Sequence, residues 1–305
     1  MNKYYPEGKL ISQISNSQAV HSIQSLYDAK EKGMILEAKA VMCDTDHNLL
    51  VNLPCCKGII PRFEGAVGID DGTTRDIALL SKVNKPVCFK VLSIEDNGGE
   101  KTAILSRREA QIEAYENYIA NLQPGDIIPA KVTHLEQFGC FVDICCGIAS
   151  LIPIDAISVS RMSHPKDRFY NGQDLNAIVK SIDGDRIFLS HKELLGTWEQ
   201  NASLFKPGQT VGGTVRSIES YGIFIELRPN LAGLAENRED VFVGQKTSVY
   251  IKSIIPEKMK VKLIIVDVFD DEETDRSFEY YIKSGNMTHW EYSTAESERK
   301  IISVF

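Results

Sequence analysis

Two pairs of aromatic residues share one spacing around a glycine: Phe138-Gly139-Cys140-Phe141 and Tyr221-Gly222-Ile223-Phe224. A ring face holds an unpaired nucleic-acid base by stacking, worth about 1–3 kcal/mol per base and tolerant of base identity. Two rings side by side on an open sheet make a platform for that contact. On a regular strand, however, residues i and i+3 point to opposite faces. A glycine inside a strand often marks a bulge. The expectation is that one extra residue at Gly139 brings Phe138 and Phe141 onto one face. The alternative is that the rings fill a barrel interior. Near these pairs, Lys131, Lys180, Arg186, Lys252 and Lys260 are the cations available to neutralise phosphates, or else ordinary surface charges. Catalytic signatures are missing: there is no P-loop, no H-x-x-x-H metal pair and no C-x-x-C spacing. The acidic run Asp270-Asp271-Glu272-Glu273 lacks the glycine and spacing of a calcium loop. No segment is left over for a catalytic domain. The expectation is a non-enzymatic protein with no cofactor and no metal.

The first ring pair sits inside a five-strand pattern from about Gly125 to Ser190. After a turn at Cys146-Gly147 comes the apolar strand Ala149–Pro153. A polar segment from Ser158 to Asn171 follows, broken at His164-Pro165 and Asn171-Gly172. Leu175–Ile182 alternates as a strand, Asp183-Gly184-Asp185 reads as a hairpin turn, and Arg186–Ser190 returns. Five short strands with one longer excursion between the third and fourth fit a small Greek-key barrel of the OB type.

That unit recurs. The tetrads Val91-Leu92-Ser93-Ile94, Val179-Lys180-Ser181-Ile182 and Ile251-Lys252-Ser253-Ile254 mark three copies, the last with a trimmed excursion. Intervals this long indicate tandem domains, not a solenoid. In the first copy His47 stands where Phe138 does and Leu50 where Phe141 does, so its stacking pair is gone. The predicted organisation is mostly β. An N-terminal helical segment spans 1–33, and barrels span 34–106, 124–191 and 207–268. Helical linkers lie at 107–123 and 192–206, and an acidic, aromatic-rich extension covers 269–305. The first helix is expected from Ser17, with Ala19, Ile23, Leu26 and Ala29 on one face, capped by Ser17 or Asn16 and closed by Gly33. Trp198 is read as packing against a barrel in preference to serving as an extra stacking ring. The extension's aromatics are read as packing on the third barrel.

The chain has 305 residues and 43% hydrophobic content, ordinary for globular protein. It holds no run of about 18 apolar residues and no apolar signal core near Met1. Its seven cysteines include the vicinal pairs Cys55-Cys56 and Cys145-Cys146, read as reduced thiols. A cytoplasmic protein is expected. The net charge of −8 argues against a purely electrostatic nucleic-acid binder. The acidity is concentrated from Asp270 onward, where nine acids face four bases. Over Gly208–Val268 eight bases face seven acids, so binding would rest on stacking with a modest salt slope.

With these residues in view, Pro124-Gly125-Asp126, Phe138–Val142, Ser181-Ile182-Asp183 and Arg186–Ser190 resemble the S1-type RNA-binding domain. This is the repeat of the large S1 ribosomal protein, also appended to exoribonucleases and initiation factors. The resemblance covers about two thirds of the chain and is closest in the central copy. It implies that Phe138, Phe141, Asp183 and Arg186 gather on one RNA-facing surface. It places Tyr221, Phe224 and Lys260 at matching positions of the third copy, where Ile255 replaces the acid. A histidine common in the family's third strand is Pro153 here. The resemblance implies non-catalytic binding of single-stranded RNA, mRNA included, in translation or mRNA handling. The ribosome is the further partner it suggests, reached through the first barrel or the C-terminal extension. The competing expectation is a protein-interaction scaffold that docks on a ribosome or RNA-processing complex and touches little RNA.

Overall fold

The computed structural model describes residues 4–184, 186–269 and 278–305. Asp185 and the acidic run Asp270–Glu273 lie outside the described residues. Three five-stranded barrels follow one another. The first is built from β1 (Leu36–Cys43), β2 (Leu49–Asn52), β3 (Lys57–Ile60), β4 (Pro86–Asn97) and β5 (Glu100–Ser106). The second uses β6 (Ile127–Glu136), β7 (Gly139–Cys145), β8 (Ile148–Pro153), β9 (Asp174–Asp183) and β10 (Arg186–Ser190). The third uses β11 (Thr210–Glu219), β12 (Gly222–Arg228), β13 (Leu231–Ala235), β14 (Lys246–Ile255) and β15 (Lys260–Phe269). Each closes in the same order, first-second-third-fifth-fourth. The third and fifth strands run parallel, as at Leu151 beside Phe188 and Leu234 beside Lys262. These are three closed OB-type barrels. Period-two alternation builds them: Cys140, Val142 and Ile144 of β7 point inward and are fully buried.

By contacts the chain forms two compact units. The first runs to Leu122 and takes in Asp143–Ala149; the second takes Gln123–Val142 and the described chain from Ser150. In the first unit the expected N-terminal helix is two short ones, α1 (Ile14–Ala19) and α2 (Ile23–Glu31). Ser22 caps α2 by accepting from the Ser25 amide. Asn16 is no cap: its buried amide pairs with the Glu37 backbone in both directions, at 2.9 and 2.8 Å. A third helix, α3 (Ile77–Leu80), precedes β4, and α4 (Arg107–Asn117) follows β5.

A buried charge cluster ties this unit together. Glu7 accepts from Arg107 Nε at 2.6 Å and from Lys82 Nζ at 2.7 Å. Burial works to raise the Glu7 carboxyl, but the two cations outweigh it and hold it at about 2. Asp143 accepts from the Glu7 amide at 2.7 Å and from the Gly147 amide at 3.0 Å. Burial first, and the neighbouring Glu7 charge next, push the Asp143 carboxyl up to about 7. The two shifts have opposite consequences. The depressed Glu7 removes stability as pH falls from about 4 toward 2. The raised Asp143 removes stability as pH rises through about 7. The first unit is therefore expected to melt at a higher temperature at pH 5 than at pH 8. Asp143→Asn should flatten that rise, read by thermal melts across the pH series. An unchanged profile in the variant would dissociate Asp143 from it.

In the second unit, the turn Lys192–Leu195 and α5 (Trp198–Ala202) pack beneath the third barrel. Trp198 is buried in that barrel's core cluster, with Val215, Ile225 and Val249. The extension joins the same cluster through Met287, Trp290 and Tyr292. It also contributes two short strands, β16 (His289–Glu291) and β17 (Ile302–Val304). Phe278 and Tyr280 close on His191 of the second barrel, with ring centroids at 4.8 and 5.5 Å. Burial drives the His191 ring down to about 3, so it is neutral in this nest. The extension thus packs on both barrels of its unit.

Asn230, in the β12–β13 turn, joins the two barrels. Its backbone is left-handed, φ 68°, a conformation asparagine tolerates better than most residues. Its side chain accepts from Ser158 Oγ (3.1 Å) and the Val159 amide (2.9 Å), and donates to the carbonyls of Lys192 (2.6 Å) and Gly196 (3.2 Å). Asn230→Ala is expected to destabilise the second unit by about 2–4 kcal/mol, since buried partners lose their bonds and φ becomes strained. Asn230→Gly keeps the backbone but not the bonds, so denaturant melts of both variants separate the two costs. A loss below 1 kcal/mol (about) in both would rule this junction out as a major contributor.

Candidate nucleic-acid interface

The ring pairs lie outside the barrels. Phe138 is 57% exposed and Phe141 half-buried, their centroids 5.9 Å apart and their planes at 89°. Tyr221 is 66% exposed and Phe224 half-buried, at 6.0 Å and 88°. Both pairs meet edge to face, which aromatic quadrupoles favour. Each therefore offers two ring faces at right angles.

Phe138 does not need the expected bulge at Gly139 to face outward. Phe138 sits in the β6–β7 turn, before β7 begins at Gly139, so strand alternation does not bind it. Tyr221 sits likewise before β12. In the third barrel the bulge falls on the preceding strand, between Val215 and Ser217. The first barrel has its own between Ala40 and Met42. The glycines serve close approach instead. A Cβ at Gly139 would lie 2.6 Å from the Ile152 carbonyl oxygen and 3.0 Å from Leu151 Cδ1. At Gly222 the corresponding distances are 2.6 Å to the Ala235 carbonyl oxygen and 2.8 Å to Leu234 Cδ1. Bare glycine lets the third strand and its outward leucine close over the platform's edge.

Asp183 and Arg186 face each other across the β9–β10 hairpin, both exposed. Ile255 and Lys260 occupy the same register positions at the β14–β15 hairpin. Lys180 and Lys252 are exposed on the fourth strands. Lys131 is half-buried on β6, registered with Asp174 of β9. Thr133 Oγ1 donates to the Phe141 carbonyl at 3.1 Å and steadies the platform strand from β6. Sequence reasoning missed the outward residues of the adjoining strands: Leu151, Phe188, Leu234 and Lys262. The parallel third–fifth strand pairing, which no local pattern reveals, sets Phe188 beside Leu151 and Lys262 beside Leu234. In the first barrel neither platform position is a benzene-type ring. Leu50 pairs with Ile59, which in turn lies beside Ile104, and His47 is a left-handed loop residue, φ 63°.

Residues 121–192 match the profile of the S1 RNA binding domain family. The small ribosomal subunit protein bS1 homolog of Bacillus subtilis (strain 168) is 33% identical over 195 residues, which cover 61% of this chain and 49% of that protein. Small ribosomal subunit protein bS1 of Rhizobium meliloti (strain 1021) is 25% identical over 248 residues, covering 79% and 41%. The chain spans about half the length of the curated relatives it matches. A solved multidomain protein with nucleic acid binding domains from Streptococcus pneumoniae aligns over 77% of this chain and 74% of its own, at 14% identity. The TM-score of that alignment is 0.25.

Proposed function

We propose, from the premise that this chain carries an S1-type RNA-binding domain and is kin to the bS1 ribosomal proteins, that it binds single-stranded RNA without catalysis. Stacking on Phe138 with Phe141 and on Tyr221 with Phe224 does the holding. The observation that carries this reading is the exposure of both ring pairs in one shared geometry, outside barrels whose interiors are already filled. Arg186, Lys180 and Lys131 of the second barrel and Lys252 and Lys260 of the third supply cations for phosphates, and Asp183 an acceptor for base edges. Neither pair reads a base by a groove code, so sequence tolerance is expected and mRNA is a natural ligand. Its setting is the cytoplasm, in translation or mRNA handling.

The test is a titration of the full chain with single-stranded RNA homopolymers, duplex RNA and single-stranded DNA of equal length. Saturable binding to single strands, weak binding to the duplex and intact RNA after incubation with magnesium are expected. Tight duplex binding with no response to single strands would overturn the reading. A second reading belongs to the first barrel alone. Its aliphatic outer strip, with Val41 and Met42 45% and 49% exposed at the bulge, suits protein contact better than bases. Docking on the ribosome through that barrel predicts co-sedimentation that survives nuclease treatment. Release of all the protein by nuclease would exclude it.

A further inference from the structure

The outer strips of the second and third barrels match in kind, ring, ring and leucine, up to the fifth strand, where they part. In the second barrel the strip runs from Phe138 and Phe141, over Leu151, to Phe188 of β10, which is registered directly with Leu151. In the third it runs from Tyr221 and Phe224, over Leu234, to Lys262 of β15, which is registered directly with Leu234. Phe188 is half-buried, and Lys262 is exposed. A ring stands in one barrel where an ammonium group stands in the other.

The hairpins at the end of each strip diverge in the same sense. Between Val179 and Phe188 one lysine and one arginine face two aspartates. Over Lys252–Lys260, leaving Lys262 aside, three lysines face one glutamate, and Ile255 takes the place of the acid. Two independent features, the register position and the local charge, therefore point the same way. Stacking does not depend on salt, whereas each phosphate neutralised releases a counterion and steepens the salt dependence.

We infer that the two platforms grip a single strand by different physics, with Phe188 and Lys262 deciding the difference. The second barrel holds bases, with Phe188 as a third apolar contact. The third holds the backbone, with Lys262 and Lys260 on successive phosphates. This rests on the RNA-binding reading above and extends it. The chain would then keep a salt-resistant grip at its centre and a salt-labile grip toward its C-terminal end.

Reciprocal substitution tests this. Binding of the full chain to a labelled single-stranded RNA homopolymer is measured by anisotropy over a salt series. Phe188→Lys should steepen the slope of log affinity against log salt by about 0.7, and Lys262→Phe should flatten it by about 0.7. The double swap should restore the wild-type slope. Phe188→Ala should weaken binding about tenfold at every salt concentration with no change of slope. Both side chains are on the outer face, and thermal melts check each variant's fold. If Phe188→Lys does not fold, Phe188→Ala and Lys262→Phe decide the matter by the same slopes. Normal binding with slopes unmoved by the swaps would overturn this inference and leave the RNA-binding reading standing. Absence of wild-type binding at every salt concentration would remove both.

Discussion

Replacing Phe138 and Phe141 together with Ala is expected to weaken single-stranded RNA binding about tenfold to a hundredfold, while the second unit still folds. The magnitude follows from losing one stacked base, about 1–3 kcal/mol, with every tenfold in affinity worth about 1.4 kcal/mol. The loss is incomplete because Tyr221 and Phe224 remain. Folding survives because the second barrel's interior is formed by other side chains, such as Cys140, Val142, Ile152 and Leu189, all fully buried. Phe138 is more than half exposed and gives up little burial when truncated. Anisotropy titration and thermal melting on the same preparation check both halves of the expectation. A folded double variant with wild-type affinity would show that the rings are not the contact surface.

Replacing Glu7 with Ala is expected to cost the first unit about 3–5 kcal/mol, because Arg107 is left buried and charged without its partner. Arg107 is 3% exposed, so solvent cannot take over. Its remaining bonds, to the carbonyls of Gly65 (3.2 Å) and Gly147 (3.4 Å), are longer and uncharged at the acceptor. Domains are stable by about 5–15 kcal/mol, so this loss is a large share of the total. Glu7→Gln should fall between wild type and Glu7→Ala, since an amide oxygen can still accept from Arg107. Hydrogen exchange in β4 and β5 is the appropriate measurement, since these strands form the interior of the affected unit. Protection factors equal to wild type in Glu7→Ala would mean that the cluster contributes nothing net.

The sequence made the barrels legible because their signals are local. Alternation along Leu175–Ile182, the hairpin at Gly184 and the breakers at His164-Pro165 each act within a few residues. The exposure of Phe138 and Tyr221 was also within reach, since each ring precedes a glycine at a turn. What escaped was set by distance along the chain. Glu7 meets Arg107 one hundred residues later, and nothing near Glu7 marks it as buried. Phe188 and Lys262 read as ordinary strand residues until the parallel pairing sets them beside Leu151 and Leu234. The helix expected from Ser17 divides because Val20 turns inward and Ser22 offers a better cap. The outward Phe138 does not require the bulge expected at Gly139. A turn residue needs no extra residue to escape alternation.

The placement of Trp198 and Trp290 has a practical outcome. They are the chain's two tryptophans, and both are sealed in the third barrel's core cluster. Indole emission therefore watches one half of the molecule, while the half that holds Glu7 and Arg107 carries no tryptophan and stays dark to that probe. A denaturation curve followed by tryptophan fluorescence would look complete and still say nothing about the first barrel.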